Sequence, residues 1–159
     1  MTSSAAELTI WDVIAREAER ESALWAAALR PAAERDETPV FSPLGPDRFA
    51  LGLESIYEGY LLHYGRPRLF APEDSDTAVL LGDYLYAHGL VRVAAQGEVE
   101  VVAALAALIS RCAQLRAEGR AGDGHAWAGT VASLGGGARS ETDLEAVERA
   151  LALHDARVD

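Results

Sequence analysis

Residues 77–96 read TAVLLGDYLYAHGLVRVAAQ, a segment in which apolar side chains fall on nearly every face of a helix. A helix that is apolar almost all round is buried on most sides, so this segment predicts the central helix of an all-α domain. Gly82 and Gly89 lie seven residues apart and share one stripe of that helix. Because glycine lowers helix stability, the two glycines predict close approach of a neighbouring helix along this stripe.

The sequence that follows predicts three more helices. A tight turn at Gln96–Gly97 leads into a helix over about 98–118, which we expect to run antiparallel to the preceding one. A short helix over about 125–134 lies between two glycine-rich segments, and a final helix follows it. In the helix over 98–118, apolar residues alternate in steps of four and three, the spacing of a bundle seam, at Val101, Leu105, Leu108, Cys112 and Leu115. The final helix is expected to begin at a capping box, formed by Ser140 or Thr142 with Asp143 or Glu145 three residues on.

The sequence on the N-terminal side predicts two helices and a long loop. A helix over about 47–64 should end at Gly65, since glycine is the usual residue after a helix C-terminus. An amphipathic helix over about 5–30 should stop at Pro31. The connection 31–47 contains four prolines among charged residues and reads as a surface loop. Such a long connection is unusual inside a compact domain, which makes it a candidate contact for a partner.

Composition limits the class of protein. The chain has 159 residues, half of them hydrophobic, and we expect a single helical domain over 1–159. The formal net charge of -11 argues against binding of nucleic acid or of an anionic membrane surface, because both require basic groups. All 14 basic residues are arginine, so Schiff-base chemistry on lysine is excluded.

Targeting and redox signals are few. Met1–Glu7 lacks the basic and apolar regions of a signal peptide, and no stretch approaches the roughly 20 apolar residues of a membrane span. Cys112 is the single cysteine, so an internal disulfide is excluded. We therefore expect a cytoplasmic protein without a membrane span, and no motif in the sequence predicts a cofactor or a catalytic residue.

Four ring-bearing residues near the end of the helix over 47–64 are candidate ligand contacts. Tyr57, Tyr60, His63 and Tyr64 lie on neighbouring stripes at helical spacing. They could form the wall of a pocket for an apolar ligand. They could equally be core residues whose hydroxyl groups reach the surface.

The charged residues that follow this helix each allow a functional and a structural interpretation. Arg66 and Arg68 could hold a diphosphate, because guanidinium groups match phosphate oxygens, or could simply offset the dipole of the helix C-terminus. Asp83 lies on the most apolar helix, so we expect it to be paired, hydrogen-bonded or turned to a polar cavity. The acidic residues Glu73, Asp74 and Asp76 precede a helix, and capping is favoured over metal binding.

Two of these segments resemble the all-α trans-polyprenyl diphosphate synthases. In that family one helix ends in Leu-(Leu/Ile)-His-Asp-Asp-x-x-Asp, and a later helix carries a Leu-Gly-Asp-Tyr-Leu type of pattern. The first pattern is similar to Leu61–His63, and the second is present at Leu80–Leu85. With that alignment, the positions of the three magnesium-binding aspartates fall on Tyr64, Gly65 and Arg68.

The resemblance implies a fold and a role. It implies an antiparallel helical bundle that is isoprenoid-synthase-like and in which Gly82 and Asp83 are structural hallmarks. The bundle would be truncated, because the chain stops at Asp159 before a second aspartate-rich motif. It implies no catalytic metal site, since Mg²⁺ requires oxygen ligands. The chain resembles the small, non-catalytic subunit of heterodimeric heptaprenyl diphosphate synthases, so the expected role is a regulatory or scaffolding subunit without activity of its own.

Two alternatives to the subunit role stay open. The first is a homodimeric helical module that binds an isoprenoid or another apolar ligand without turnover, with the aromatic residues and the two arginines as ligand contacts. The second is an independent synthase or lyase with a different metal site. Both the subunit and the module require a protein partner, either a catalytic synthase chain or a second copy.

Overall fold

The structure is a computed structural model that describes residues 7–135 and 141–158, with side chains described for 7–135 and 143–158. The described residues form seven α-helices and three 3-10 helices, without any strand, so the all-α prediction is confirmed. The α-helices are α1 (Ile10–Glu21), α2 (Ala23–Ala28), α3 (Ala50–Tyr64), α4 (Ser75–Ala94), α5 (Val99–Ala117), α6 (Asp123–Ser133) and α7 (Glu141–Val158). Among these residues, no helix has both the length and the apolar composition needed to cross a bilayer.

The helices begin and end close to the predicted positions, except near the N-terminus. The predicted single helix over 5–30 is wrong, because the chain becomes extended at Ser22, with φ -158° and ψ 137°. The Ser22 hydroxyl accepts a hydrogen bond from the Leu24 backbone N–H, which starts α2 as a separate helix. After α2 the chain pairs through the backbone with the segment around Phe70 in an isolated antiparallel bridge. The capping box predicted for the final helix lies outside the residues whose side chains are described.

The central helix is α3. Every residue of α3 from Gly52 to Leu62 is buried, with core clusters on both sides of the helix. The prediction that residues 77–96 form the central helix is therefore wrong. Helix α4 buries one face only, and Leu80 and Val91 on its outer side are 56% and 63% exposed.

Glycines allow α3 and α4 to pack in close contact. A Cβ atom on Gly89 would lie 2.8 Å from the carbonyl oxygen of Gly52, and one on Gly82 would lie 3.1 Å from that of Gly59. The order of these contacts reverses along the chain, so α3 and α4 pass each other in opposite directions. The predicted close approach at Gly82 and Gly89 is thus confirmed, and the partner helix contributes a matching glycine pair seven residues apart.

The proline-rich segment folds back onto the core of its own chain. Val40 and Phe41 are buried, and the Phe41 ring stacks on Trp127 of α6 with 5.5 Å between the ring centroids. The expectation that this segment is a surface loop is wrong for these two residues. The seam predicted for α5 is confirmed, because all five of its residues are buried.

Replacement of Gly89 by alanine tests the glycine contact. The added methyl group would lie 2.5 Å from Cγ1 of Ile56 and 2.8 Å from the Gly52 carbonyl, so α4 must shift. We expect Gly89→Ala to lower the free energy of unfolding by about 1–3 kcal/mol, although alanine is the better helix former. Urea denaturation measures this change.

Gly129→Ala is the matched control. Gly129 also lies within a helix, but a Cβ atom there has no neighbour within 4 Å. The same substitution should therefore raise stability by about 0.5–1 kcal/mol through helix propensity alone. Equal gains at both positions would contradict the close packing of α3 and α4.

Candidate functional site

A buried ion cluster lies between α3 and the segment that follows it. The Arg68 guanidinium donates to Glu54 at 2.7 Å and to Glu58 at 3.1 Å, and all three residues are at most 1% exposed. The same guanidinium donates to the Thr38 carbonyl at 2.9 Å and lies over the Trp11 ring at 4.7 Å. Burial by itself lowers the pKa of Arg68, but the two carboxylates raise that pKa overall, so the group stays charged.

The buried ion cluster contains one of the three residues that align with the magnesium-binding aspartates. Arg68 is one of the three aligned positions, and its donors are directed to Glu54 and Glu58 inside the domain. A diphosphate would therefore have to replace a buried carboxylate to reach this guanidinium. Arg66 is exposed and contacts the end of α7, where its backbone N–H donates to the Arg157 carbonyl at 3.0 Å.

A second polar cluster joins α3 to α6 and α7. The Tyr57 hydroxyl is 2.7 Å from Nδ1 of His154, and the Tyr60 hydroxyl donates to Asp123. Arg116 of α5 completes the cluster: its Nη2 atom is 2.7 Å from Asp123 Oδ2 and donates to the Tyr60 hydroxyl at 2.9 Å. Both tyrosine rings are 1% exposed, so they are core residues, but their hydroxyl groups are bonded internally and do not reach the surface.

The electrostatics of this cluster favour one protonation pattern. Burial raises the pKa of Tyr57 and of Tyr60, which keeps both phenols protonated at neutral pH. Burial by itself also raises the pKa of Asp123, but hydrogen bonds from Tyr60 and Arg116 hold it below its ordinary value. Asp123 is therefore ionised beside Arg116 at neutral pH.

The second cluster borders a cavity of about 560 Å³, which we call the α6 cavity. Its walls come from the loop between α5 and α6, the first turn of α6 and one side of α7. The polar residues that line it are Arg116, Arg120, Asp123, His125, His154 and Asp155. No sequence motif predicts this group, because Tyr60 and Asp123 are 63 residues apart and helical periodicity does not show that they meet.

His63 and Asp83 join α3 to α4 at the surface. Nε2 of His63 is 3.0 Å from Oδ1 of Asp83, so the predicted polar tie between helices exists. The Asp83 side chain is 65% exposed, so this pair lies at the surface edge of the contact between α3 and α4. The glycine at position 82 permits this contact, since a Cβ atom there would lie 2.8 Å from the His63 ring.

Tyr64 lies beside the second polar cluster but is not a core residue. Its ring is half-buried, lies 5.1 Å from the Tyr60 ring and is covered by the Arg116 guanidinium at 5.3 Å. The structure thus brings three of the predicted ligand contacts, Tyr57, Tyr60 and Tyr64, to one side of α3. It places His63 beside α4, Arg68 in the buried ion cluster and Arg66 at the end of α7, so the six residues do not surround one pocket. Binding by any of them stays a prediction.

Comparison with protein-family models, with curated proteins and with solved structures gave no match. The site is therefore interpreted from its own chemistry. Among the described residues, no three histidine, cysteine, aspartate or glutamate side chains are grouped to hold a metal ion. The second polar cluster holds Arg116 and Asp123 in fixed positions, and both side chains line the α6 cavity.

Replacement of Arg68 tests the buried ion cluster. Arg68→Met leaves Glu54 and Glu58 buried without a cation, so we expect the free energy of unfolding to fall by about 3–5 kcal/mol. Arg120→Met is the control, because that side chain is 59% exposed, and its change should stay within about 0.5 kcal/mol. Adding Glu54→Gln and Glu58→Gln to Arg68→Met should recover part of the loss. Equal stability of the two single variants would show that the carboxylates do not need the cation.

Acid titration tests the role of Asp123. Because its folded pKa lies below the ordinary value of 3.8, ionised Asp123 stabilises the fold at higher pH, and this contribution is lost as the pH falls through the folded pKa. The stability difference between wild type and Asp123→Asn should therefore be largest at neutral pH and should shrink below pH 3.8. Urea denaturation across this range measures it. Tyr60→Phe should raise the pKa of Asp123, seen by NMR titration, and an unchanged pKa would contradict the hydrogen bond.

Proposed function

We propose that this chain is a non-catalytic, regulatory or scaffolding subunit that binds a catalytic polyprenyl diphosphate synthase through the outer face of α4. The observation that carries the proposal concerns the segment Leu80–Leu85, which resembles the synthases. Some of its side chains are buried in the domain and others are exposed. Leu81, Gly82 and Leu85 are buried against the rest of the domain. Leu80 and Asp83 of the same segment are exposed. Asp83 already contacts His63, and a partner that covers Leu80 would bury that side chain.

The outer face of α4 has the composition of a contact surface. The exposed residues of α4 are Ser75, Asp76, Val79, Leu80, Asp83, Ala87, Val91 and Ala94, and those from Asp76 onward lie at helical spacing along the helix. Val79, Leu80 and Val91 are 46%, 56% and 63% exposed. Contiguous aliphatic side chains in solvent mark protein contacts, because covering them removes apolar area from water. Two carboxylates on this face, Asp76 and Asp83, support a defined orientation of the partner.

The chemistry at the aligned metal positions supports a role without prenyl transfer. That reaction needs Mg²⁺ to neutralise the departing diphosphate. The aligned positions hold a phenol, a glycine and a guanidinium, and none of these supplies the carboxylate oxygens that Mg²⁺ prefers. The proposal therefore assigns the chemistry to the partner and assembly to this chain.

In the alternative, two copies of the chain form a homodimer through the same face of α4, and each copy binds an isoprenoid. Its pocket would be lined by Tyr57, Tyr60 and Leu85, which are at most 2% exposed. An apolar ligand would have to displace these core residues, so the geometry favours the subunit role over the ligand-binding role.

Leu80→Arg tests the proposed interface. The chain would be co-expressed with a synthase from the same source that carries Asp-Asp-x-x-Asp motifs, and complexes would be measured by native mass spectrometry and by calorimetry. Loss of a buried leucine costs about 1.5–3 kcal/mol, so we expect the dissociation constant to rise about tenfold or more. Leu144→Arg is the matched control, because Leu144 is 52% exposed on α7, and it should bind as wild type.

The results separate the two roles. Complex formation that Leu80→Arg weakens and Leu144→Arg does not would support the subunit. Absence of any complex with such a synthase, together with a homodimer that Leu80→Arg dissociates, would favour the alternative. Equal binding by both variants would exclude the outer face of α4 as the interface.

A further inference from the structure

The outer face of α4 is bordered on one side by acidic groups. Residues 73–100, which contain α4 and its flanking residues, carry six carboxylates and one arginine. That arginine, Arg92, is already bonded to Glu17 of α1. Asp76 and Asp83 are exposed and lie seven residues apart, so they follow one edge of the outer face. The contact of Asp83 with His63 leaves the Asp83 side chain 65% exposed.

The aliphatic residues beside this acidic edge have the spacing of a helix-packing seam. Leu80, Ala87 and Ala94 follow one another at intervals of seven residues, and all three are exposed. Val91 lies between the last two and is 63% exposed. Residues at this interval form a straight seam along a helix, which is the contact that a second helix makes in a coiled coil. Because Ala87 at the middle of the seam is small, a helix can approach closely there.

The opposite edge of the seam is aromatic. Tyr84 stacks on His88 with 5.3 Å between the ring centroids, and the ring of Trp25 on α2 lies 5.8 Å from that of Tyr84. All three rings are partly exposed. Burial raises the pKa of Tyr84, and the charges of Glu21 and Glu17 raise it further, so carboxylates lie near this edge too. Tyrosine and tryptophan beside an aliphatic surface are typical anchors of protein interfaces.

The charges select among the possible occupants of the outer face. An anionic membrane surface would be repelled by Asp76 and Asp83. A second copy in a symmetric dimer would bring the same residues to both sides, so carboxylates would face carboxylates and lower the affinity. A segment with basic residues beside an apolar stripe matches both the seam and its acidic edge.

We propose that the outer face of α4 receives an amphipathic helix of the partner, whose apolar stripe is flanked by lysine or arginine at intervals of seven residues. The stripe covers Leu80, Ala87 and Val91, and the basic residues meet Asp76 and Asp83. This inference rests on the proposed function for the choice of surface, and it adds the chemistry of the segment that docks there. The apolar contact supplies affinity, and the charges fix the direction and register of the partner helix.

Three synthetic peptides of 20 residues, the length of α4, test the proposal with the full chain. The first has a stripe of leucine and alanine flanked by lysine, and the second has the same stripe flanked by glutamate. The third has the composition of the first in an order that forms no stripe. Calorimetry at about 0.15 M and about 1 M salt measures the dissociation constants. We expect the first peptide to bind at least about tenfold more tightly than the other two, and less tightly at the higher salt concentration.

Substitutions in the chain locate the contact. Asp76→Asn together with Asp83→Asn should raise the dissociation constant of the lysine-flanked peptide about two- to tenfold, because two exposed charge pairs are lost. Glu145→Gln together with Glu148→Gln is the matched control, since both are exposed carboxylates of α7, and it should leave the constant unchanged. Thermal melting followed by circular dichroism shows that each variant is folded. The comparison of the three peptides needs no variant.

Four results would overturn the proposal. The first is equal affinity for the lysine-flanked and glutamate-flanked peptides. The second is equal affinity for the peptide without a stripe, because general attraction to a chain of net charge -11 would then explain binding. The third is an equal loss of affinity in the control variant on α7. The fourth is a homodimer of the free chain that Leu80→Arg dissociates, which would assign the face to a second copy.

Failure of this inference can be told apart from failure of the proposed function. A synthase complex that forms equally well after Asp76→Asn and Asp83→Asn would contradict the basic helix and leave the subunit role standing. Absence of a synthase complex, with the lysine-flanked peptide still bound at α4, would contradict the subunit role and support the chemistry proposed for the docking segment.

Discussion

The pairing of Arg68 with Glu54 and Glu58 is the interaction on which the rest of the fold depends. Two carboxylates on successive turns of a buried helix are not tolerated without a cation and further donors. Arg68 supplies the cation, and the backbone N–H groups of Val40 and Leu69 donate to the two carboxylates at 3.3 Å and 2.8 Å. Three parts of the chain, before, within and after α3, are thereby fixed to one another.

This constraint also determines which surface is left for partners. Because α3 takes the centre of the domain, α4 packs on it through glycines and presents its other side to solvent. The aliphatic residues of α4, which led the sequence to predict a fully buried helix, therefore lie partly against α3 and partly in solvent. The outer face of α4 is thus the side turned away from α3, where Leu80 and Val91 are 56% and 63% exposed.

Sequence patterns predicted the features that depend on neighbouring residues. Gly65 predicted the end of α3, and spacing identified the seam of α5 from Val101 to Leu115. The central position of α3 could not be predicted, because Glu54 and Glu58 look like surface residues until Arg68 is known to neutralise them. Ser22 was missed for a related reason, since its cap interrupts a helix whose amphipathic pattern continues.

The candidate site was harder to predict than the fold because its groups come from distant helices. Tyr57 and Tyr60 were predicted to lie close to His63 and Tyr64 on one helix, but their partners His154 and Asp123 lie on α7 and α6. The Tyr57 hydroxyl is bonded to His154, and the Tyr60 hydroxyl is bonded to Asp123 and Arg116. Only the packed structure brings Arg116 and Asp123 together with the hydroxyl groups of α3.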